Sequence, residues 1–253
     1  STASVTGVAV NWLMQRMLAW RYRGDIPSDW RPYLAELDFV GTLDDDETKR
    51  LVQLARMFEA VVRFDGREGI EVDERKIRLT ALQACRLILE LGYEPYRYVH
   101  RVTFVPGTFH IEARQGRVRA NGAADSGGHV ALSWTETVAG MYDGDGRNVV
   151  YHEFAHVLDG YDGFVDGRPD VGADQTRRWQ RVVGGAYQRH RRSRAKKALI
   201  DEYGKTSEIE FFAEIVEVFF ERPEELHEEQ PELYEALADY FNQRPGWIDG
   251  APS

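Results

Sequence analysis

The sequence predicts an α+β chain in which helices flank a small central sheet. Two observations carry this. Apolar residues recur with a 3.6-residue period up to about residue 95 and again after about residue 170, while the stretch between is rich in Val, Thr, Tyr and Phe in short runs. Directly after that stretch comes an apolar segment, residues 148–159, with no Pro or Gly. It carries His152-Glu153-Phe154-Ala155-His156. Helices, a sheet, then helices again describe segregated α and β elements around one core. No linker is long enough to force a split. The expected organisation is one domain over 1–253, with a helical part at about 8–95, sheet and His152 helix at 96–160, and a second helical part at about 170–245.

Residues 8–22 read as the first helix, with Trp12, Leu13, Met17 and Trp20 as its apolar stripe. Asp44-Asp45-Asp46-Glu47 opens a second helix, because acids in a first turn suit the helix dipole. Leu51, Leu54, Ala55, Phe58, Val61 and Val62 follow at helical spacing. Residues 64–69 read as a turn and 73–91 as a third helix. Strands are expected at 97–105, 109–120 and 129–134. Residues 121–128 read as a flexible Gly-rich loop. Residues 141–146 read as a turn, since the spacing and terminal Glu of a calcium loop are missing. After a Gly/Asp/Pro loop reaching Asp170, helices are expected at 173–188, 207–221 and 231–241.

Composition bounds the function. The 253 residues are 43% hydrophobic, enough for a sizeable core, and the net charge of −10 disfavours direct nucleic-acid binding. The basic cluster at 190–197 reads as a solvated helix end. Cys85 is the only cysteine and lies in an apolar helical pattern, so it reads as a buried small hydrophobe. Without disulfides, a reducing, cytoplasmic setting is expected. No run approaches the roughly 18 apolar residues of a membrane span, and no membrane partner is expected.

The His152 segment carries the chemistry. On a helix, His152 and His156 project from one face a turn apart, within reach of one Zn2+. Glu153 points beside that ion, placed to take a proton from an attacking water and pass it to a leaving amine. A catalytic zinc commonly has a third protein ligand. The best donor is on 207–217, where Glu210, Glu214 and Glu217 share one face of an otherwise apolar helix. Buried carboxylates need a cation opposite them. Glu210 is assigned as ligand and Glu214 as the acceptor that orients a ligand histidine. The competing use of Glu210 is a capping box with Ser207. A salt bridge or plain solvation competes for Glu214 and Glu217. Asp159 either supports the site or ends its helix before Gly160. Tyr203 reads from spacing as a packed loop residue, and His110 and His129 as strand or loop residues.

Taken together these residues resemble a gluzincin-type metallopeptidase, and more closely the Mlc titration factor A family. The matching stretches are 64–72, Gln83-Ala84-Cys85, 105–109, 130–134, 152–159 and Glu210-Phe211-Phe212-Ala213. Tyr203-Gly204-Lys205-Thr206 with 210–214 also resembles the catalytic domain of anthrax lethal factor. The resemblance implies a zincin-like fold with one Zn2+ per chain. It implies His152, His156 and Glu210 as ligands, Glu153 as general base and Tyr203 as a donor to the oxyanion. It implies an aminopeptidase-like action on a peptide substrate. Some members also bind the glucose-responsive repressor Mlc, so sequestration of a transcriptional repressor is the alternative function. Some carry an additional blocking histidine before the strand at Val130; residues 114–121 here contain none.

Overall fold

The computed structural model describes residues 10–113, 116–142, 144–194 and 198–246. The first residues of the expected opening helix, Asp143, and residues 195–197 of the basic cluster lie outside the described residues.

The helical first part runs α1 (Trp12–Arg21), α2 (Arg31–Leu34), α3 (Asp45–Val61) and α4 (Glu74–Leu87), with the short strand β1 (Arg63–Gly66) between the last two. The sheet region follows as β2 (Arg101–Val105), β3 (Phe109–Ala113), β4 (Gly116–Ala120), β5 (Gly122–Ala124) and β6 (His129–Ser133). Then come α5 (Trp134–Tyr142), α6 (Val149–Asp159), α7 (Thr176–Trp179), α8 (Gly185–Arg192), α9 (Glu208–Glu221), α10 (Pro223–Glu229) and α11 (Pro231–Phe241). The α+β class is as expected, and the arrangement is compatible with a zincin-like metallopeptidase.

The acids that predicted the second helix build a full capping box. Asp44 accepts from the backbone of Asp46 and Glu47, and Glu47 reaches back to the Asp44 backbone. α4 is the buried spine: its residues from Arg78 to Leu87 are all buried, Cys85 among them. Phe58 of α3, Tyr96 and Phe154 of α6 form a ring cluster with centroids 5.1 to 6.1 Å apart. That cluster ties the first helices to the His152 helix.

The sheet order is β1-β2-β6-β5, with β1, β2 and β6 parallel and β5 antiparallel at the edge. Two expectations are corrected here. Residues 64–69, read as a turn, contribute β1, whose pairing with β2 supplies what Asp65 and Gly66 lack in strand preference. Residues 121–128, read as a loop, contribute β5, a Gly-Ala-Ala strand held by β6. Its presence makes β6 internal to the sheet. The stretch 109–120 is a hairpin, β3 against β4, rather than one strand. The helix expected at 173–188 is broken by a π turn at Gln180–Gly184, where Gly184 and Gly185 weaken the helical preference.

α1 forms, but its expected stripe faces outward. Trp12, Leu13, Met17 and Trp20 are exposed, while Gln15, Leu18, Ala19 and Tyr22 turn inward. The inner face is fixed by polar contacts: Gln53 Nε2 donates to the Ala19 carbonyl, Gln15 donates to Glu94, and Arg56 stacks on Tyr22. The helix is apolar around most of its circumference, so periodicity alone could not choose the buried side.

Candidate metal centre

α6 starts at Asn148, whose side-chain oxygen accepts from the backbone of Val150 and Tyr151. Its apolar residues Val150, Tyr151, Phe154, Ala155 and Leu158 anchor it in the core. His152 and His156 are thereby presented on the face that packs across α9. Their rings meet edge to face with centroids 4.9 Å apart.

Three candidate donor atoms converge. His152 Nε2 lies 3.1 Å and His156 Nε2 3.4 Å from Glu210 Oε2. All three donors lie within 4.8 Å of one another. Two ligands bonded tetrahedrally to one zinc at roughly 2.0–2.1 Å sit about 3.3 Å apart, which is the spacing of the two close pairs. Two imidazoles and one carboxylate also form a common catalytic zinc donor set. The residues therefore fit a metal ion on both composition and spacing.

Neighbouring groups prepare the donors. His152 Nδ1 lies 2.7 Å from Glu217 Oε1, so the carboxylate takes that N–H and the opposite nitrogen faces the cluster. Glu214, expected in this role, stands at 3.9 Å from the same nitrogen. The hydrogen bond assigned to Glu214 is thus made by Glu217, one turn further along α9. Glu217 also accepts from the Asn148 backbone N–H, which joins the start of α6 to the same carboxylate. Burial raises the Glu214 pKa above the ordinary carboxylate range, and the neighbouring Glu217 charge adds to it.

The charges interlock. Burial alone would favour a neutral His152, but hydrogen bonds to Glu210 and Glu217 hold its pKa well above the ordinary value. Burial likewise opposes ionisation of Glu210, and hydrogen bonds from His152 and His156 outweigh it, holding the carboxyl far below the carboxylate range. A cation entering between these groups would take over the proton's role. His156 Nδ1 is buried without a hydrogen-bond partner.

Ser207 caps α9 by accepting from the Glu210 backbone N–H, while the Glu210 carboxylate goes to the histidines. Only one half of a capping box is used, which frees the carboxylate. Glu153 is buried, and burial raises its pKa against the lowering effect of His152 and His156. It lies against β5: a Cβ on Gly122 would fall 2.3 Å from Glu153 Oε1. Asp159 is fully buried and accepts from the backbone of Gly167 and Arg168, so it ties down the loop after α6 rather than holding a histidine. Burial pushes its pKa up to about 6.

Tyr203 sits in a helical turn, Glu202–Lys205, beside the cluster. Its ring centroid is 6.1 Å from that of His152, and its hydroxyl is near enough to Glu210 to feel that charge. Burial first, then the Glu210 charge, push the phenol up to about 12, which keeps it a proton donor. Asp201 accepts from the Tyr203 N–H and pairs with Arg147, and His190 Nε2 donates to the Asp201 carbonyl. His190, expected in a solvated cluster, is therefore buried behind this turn and lies beside the Phe211 ring. His129 stays with Thr103 on the sheet, and His110 is in β3.

Sequence reasoning passed over Asn148 and Gly122 and under-weighted Glu217. Asn148 carried a signal, an Asn directly before an apolar helical run. Glu217 shared the face of Glu210. Gly122 carried none, because its importance depends on what lies opposite.

The model of a family described as glucose-regulated metallo-peptidase M90 matches residues 10–242. An uncharacterized protein of Synechocystis sp. is 30% identical over 94% of each chain. Proteins named Mlc titration factor A from Cronobacter sakazakii and Enterobacter sp. are 27% and 29% identical, each over 90% of this chain and 93% of theirs. A match of that extent, with the histidine pair and facing glutamate in place, settles the family: the chain belongs to the glucose-regulated metallo-peptidases of family M90.

Proposed function

We propose that this chain is a zinc-dependent peptidase that acts on short peptides with a free amino terminus. The observation that carries the reading is the convergence of His152 Nε2, His156 Nε2 and Glu210 Oε2 beside a buried Glu153. In this reading His152, His156 and Glu210 hold one Zn2+. The bound ion supplies a Lewis acid that polarises the scissile carbonyl and acidifies a water. Glu153 takes the proton from the attacking water and delivers it to the departing amine. Tyr203, with its phenol kept protonated, donates to the developing oxyanion. Glu217 fixes the His152 ring, and Asp159 fixes the loop that follows α6.

Among the described residues β5 has a single strand neighbour, so its other edge offers backbone groups for pairing with an extended peptide. The resemblance to the Mlc titration factor A family supports aminopeptidase action. The relatives' printed name supports a second role on another surface, the binding of a transcriptional repressor.

The test pairs metal content with activity. Wild type, Glu153→Gln and Glu210→Ala are purified and assayed for bound zinc and for cleavage of chromogenic amino-acid amides. The expected result is about one zinc per chain, kept in Glu153→Gln and weakened in Glu210→Ala, with activity in the wild type alone. Full activity in Glu153→Gln would refute the assigned base. Zinc binding without activity on any peptide or amide would shift the function to the repressor-binding role.

A further inference from the structure

The outward face of α1 gathers more exposed large apolar side chains than any other helix among the described residues, and the metal centre does not use it. Trp12 is 66%, Leu13 61%, Met17 62% and Trp20 81% exposed, and Met14 borders them. They lie on one half of the helix, opposite Gln15, Leu18, Ala19 and Tyr22. Four large apolar side chains on consecutive turns form a contiguous patch, which soluble surfaces seldom leave without a use.

Charge indicates what covers it. The protein carries 42 acidic against 32 basic residues, yet residues 1–24 contain no Asp or Glu. Arg16 and Arg21 share the exposed face with the tryptophans, and Arg23 follows. Arg16 stands over the Trp12 ring at 4.9 Å. Glu94, the acid that α1 touches through Gln15, is engaged by Gln15 and Arg97. The patch is thus a cationic, Trp-bearing face on an otherwise acidic molecule.

A second copy of the chain suits this face poorly, because a two-fold contact would bring the arginines of one copy's face toward those of the other. Tryptophan rings beside arginines on an apolar helix face match the boundary between headgroups and acyl chains. No helix among the described residues is long and apolar enough to cross a membrane, so the contact would be with a surface. We propose that α1 is an interfacial helix that docks the protein on an anionic lipid surface, with Trp12, Leu13, Met17 and Trp20 inserted and Arg16, Arg21 and Arg23 on the headgroups. This inference is independent of the peptidase reading, since none of these residues reaches the metal centre.

The test is co-sedimentation of the full chain with vesicles. Binding is expected to mixed phosphatidylcholine and phosphatidylglycerol, with little to phosphatidylcholine alone, and it should fall as salt rises. Trp12→Ser with Trp20→Ser should weaken it at least about 10-fold, because apolar area sets the insertion term. Arg16→Gln with Arg21→Gln should weaken it about fivefold per charge removed and reduce the preference for anionic lipid. The altered side chains are exposed, so circular dichroism and thermal unfolding should match the wild type. No binding to the anionic vesicles, or equal binding to both compositions, would overturn the proposal. So would a concentration-dependent dimer in sedimentation velocity that the tryptophan variant abolishes, since the face would then belong to a second copy.

Discussion

Gly122→Ala tests the assigned general base through its neighbour. The added Cβ would lie 2.3 Å from Oε1, 2.5 Å from Cγ and 2.6 Å from Cδ of Glu153. Ordinary contact between such atoms needs about 3.5 Å, so something must move by roughly 1 Å. β5 is held by its ladder to β6, where Gly122 faces Leu132, and α6 is anchored in the core. The Glu153 side chain is therefore the part that yields. Gly122 does not have a left-handed φ, so alanine meets no backbone strain there and the effect isolates this contact. Misplacing a reacting group by about 1 Å costs on the order of 100-fold in rate. The expected outcome is a kcat on amino-acid amides lowered about 100-fold, with zinc content unchanged because no donor atom is touched. Activity, zinc binding and thermal unfolding are measured on the same preparations. A Gly122→Ala protein with wild-type kcat would refute the placement of Glu153 as base. Loss of zinc together with activity would mean that β5 supports the metal site rather than the base alone.

Other expectations follow from the same contacts. Glu217→Gln weakens the acceptor for His152 Nδ1 and should lower zinc affinity about 10-fold, read by competition with a fluorescent chelator; unchanged affinity would return the orienting role to Glu214. Glu221 is pushed up to about 7, chiefly by burial, from a usual 4.5. Its folded pKa exceeds the unfolded one, so the stability it contributes is present below about pH 4.5 and lost as pH rises through 7. Glu221→Gln, which imitates the protonated form, should match the wild type near pH 4.5 and exceed it by about 1–2 kcal/mol above pH 8, after allowance for partial exposure. Denaturant titrations at the two pH values check this, and a gap that closes with rising pH would reverse the sign. Phe154→Ala removes the ring between Phe58 and Tyr96 in a fully buried site. It should cost about 3–5 kcal/mol in unfolding free energy; a loss under about 1 kcal/mol would show that this cluster does not tie α6 to the first helices.

The sequence by itself determined the local chemistry. Helical spacing places His152 and His156 on one face with Glu153 beside them, whatever surrounds the helix. The row Glu210, Glu214 and Glu217 on an apolar helix was legible for the same reason, since buried carboxylates call for a cation. The capping acids before α3 and Ser207 before α9 were equally local. Tertiary structure decided the rest. Which carboxylate reaches Nδ1 depends on how α6 crosses α9, and that crossing selects Glu217 over Glu214. Whether Gly122-Ala123-Ala124 is a loop or an edge strand depends on β6, because three small residues have no strand preference of their own. The side of α1 that turns inward depends on Gln53, Glu94 and Arg56, all distant in sequence, because a helix apolar around most of its circumference does not specify its own buried face.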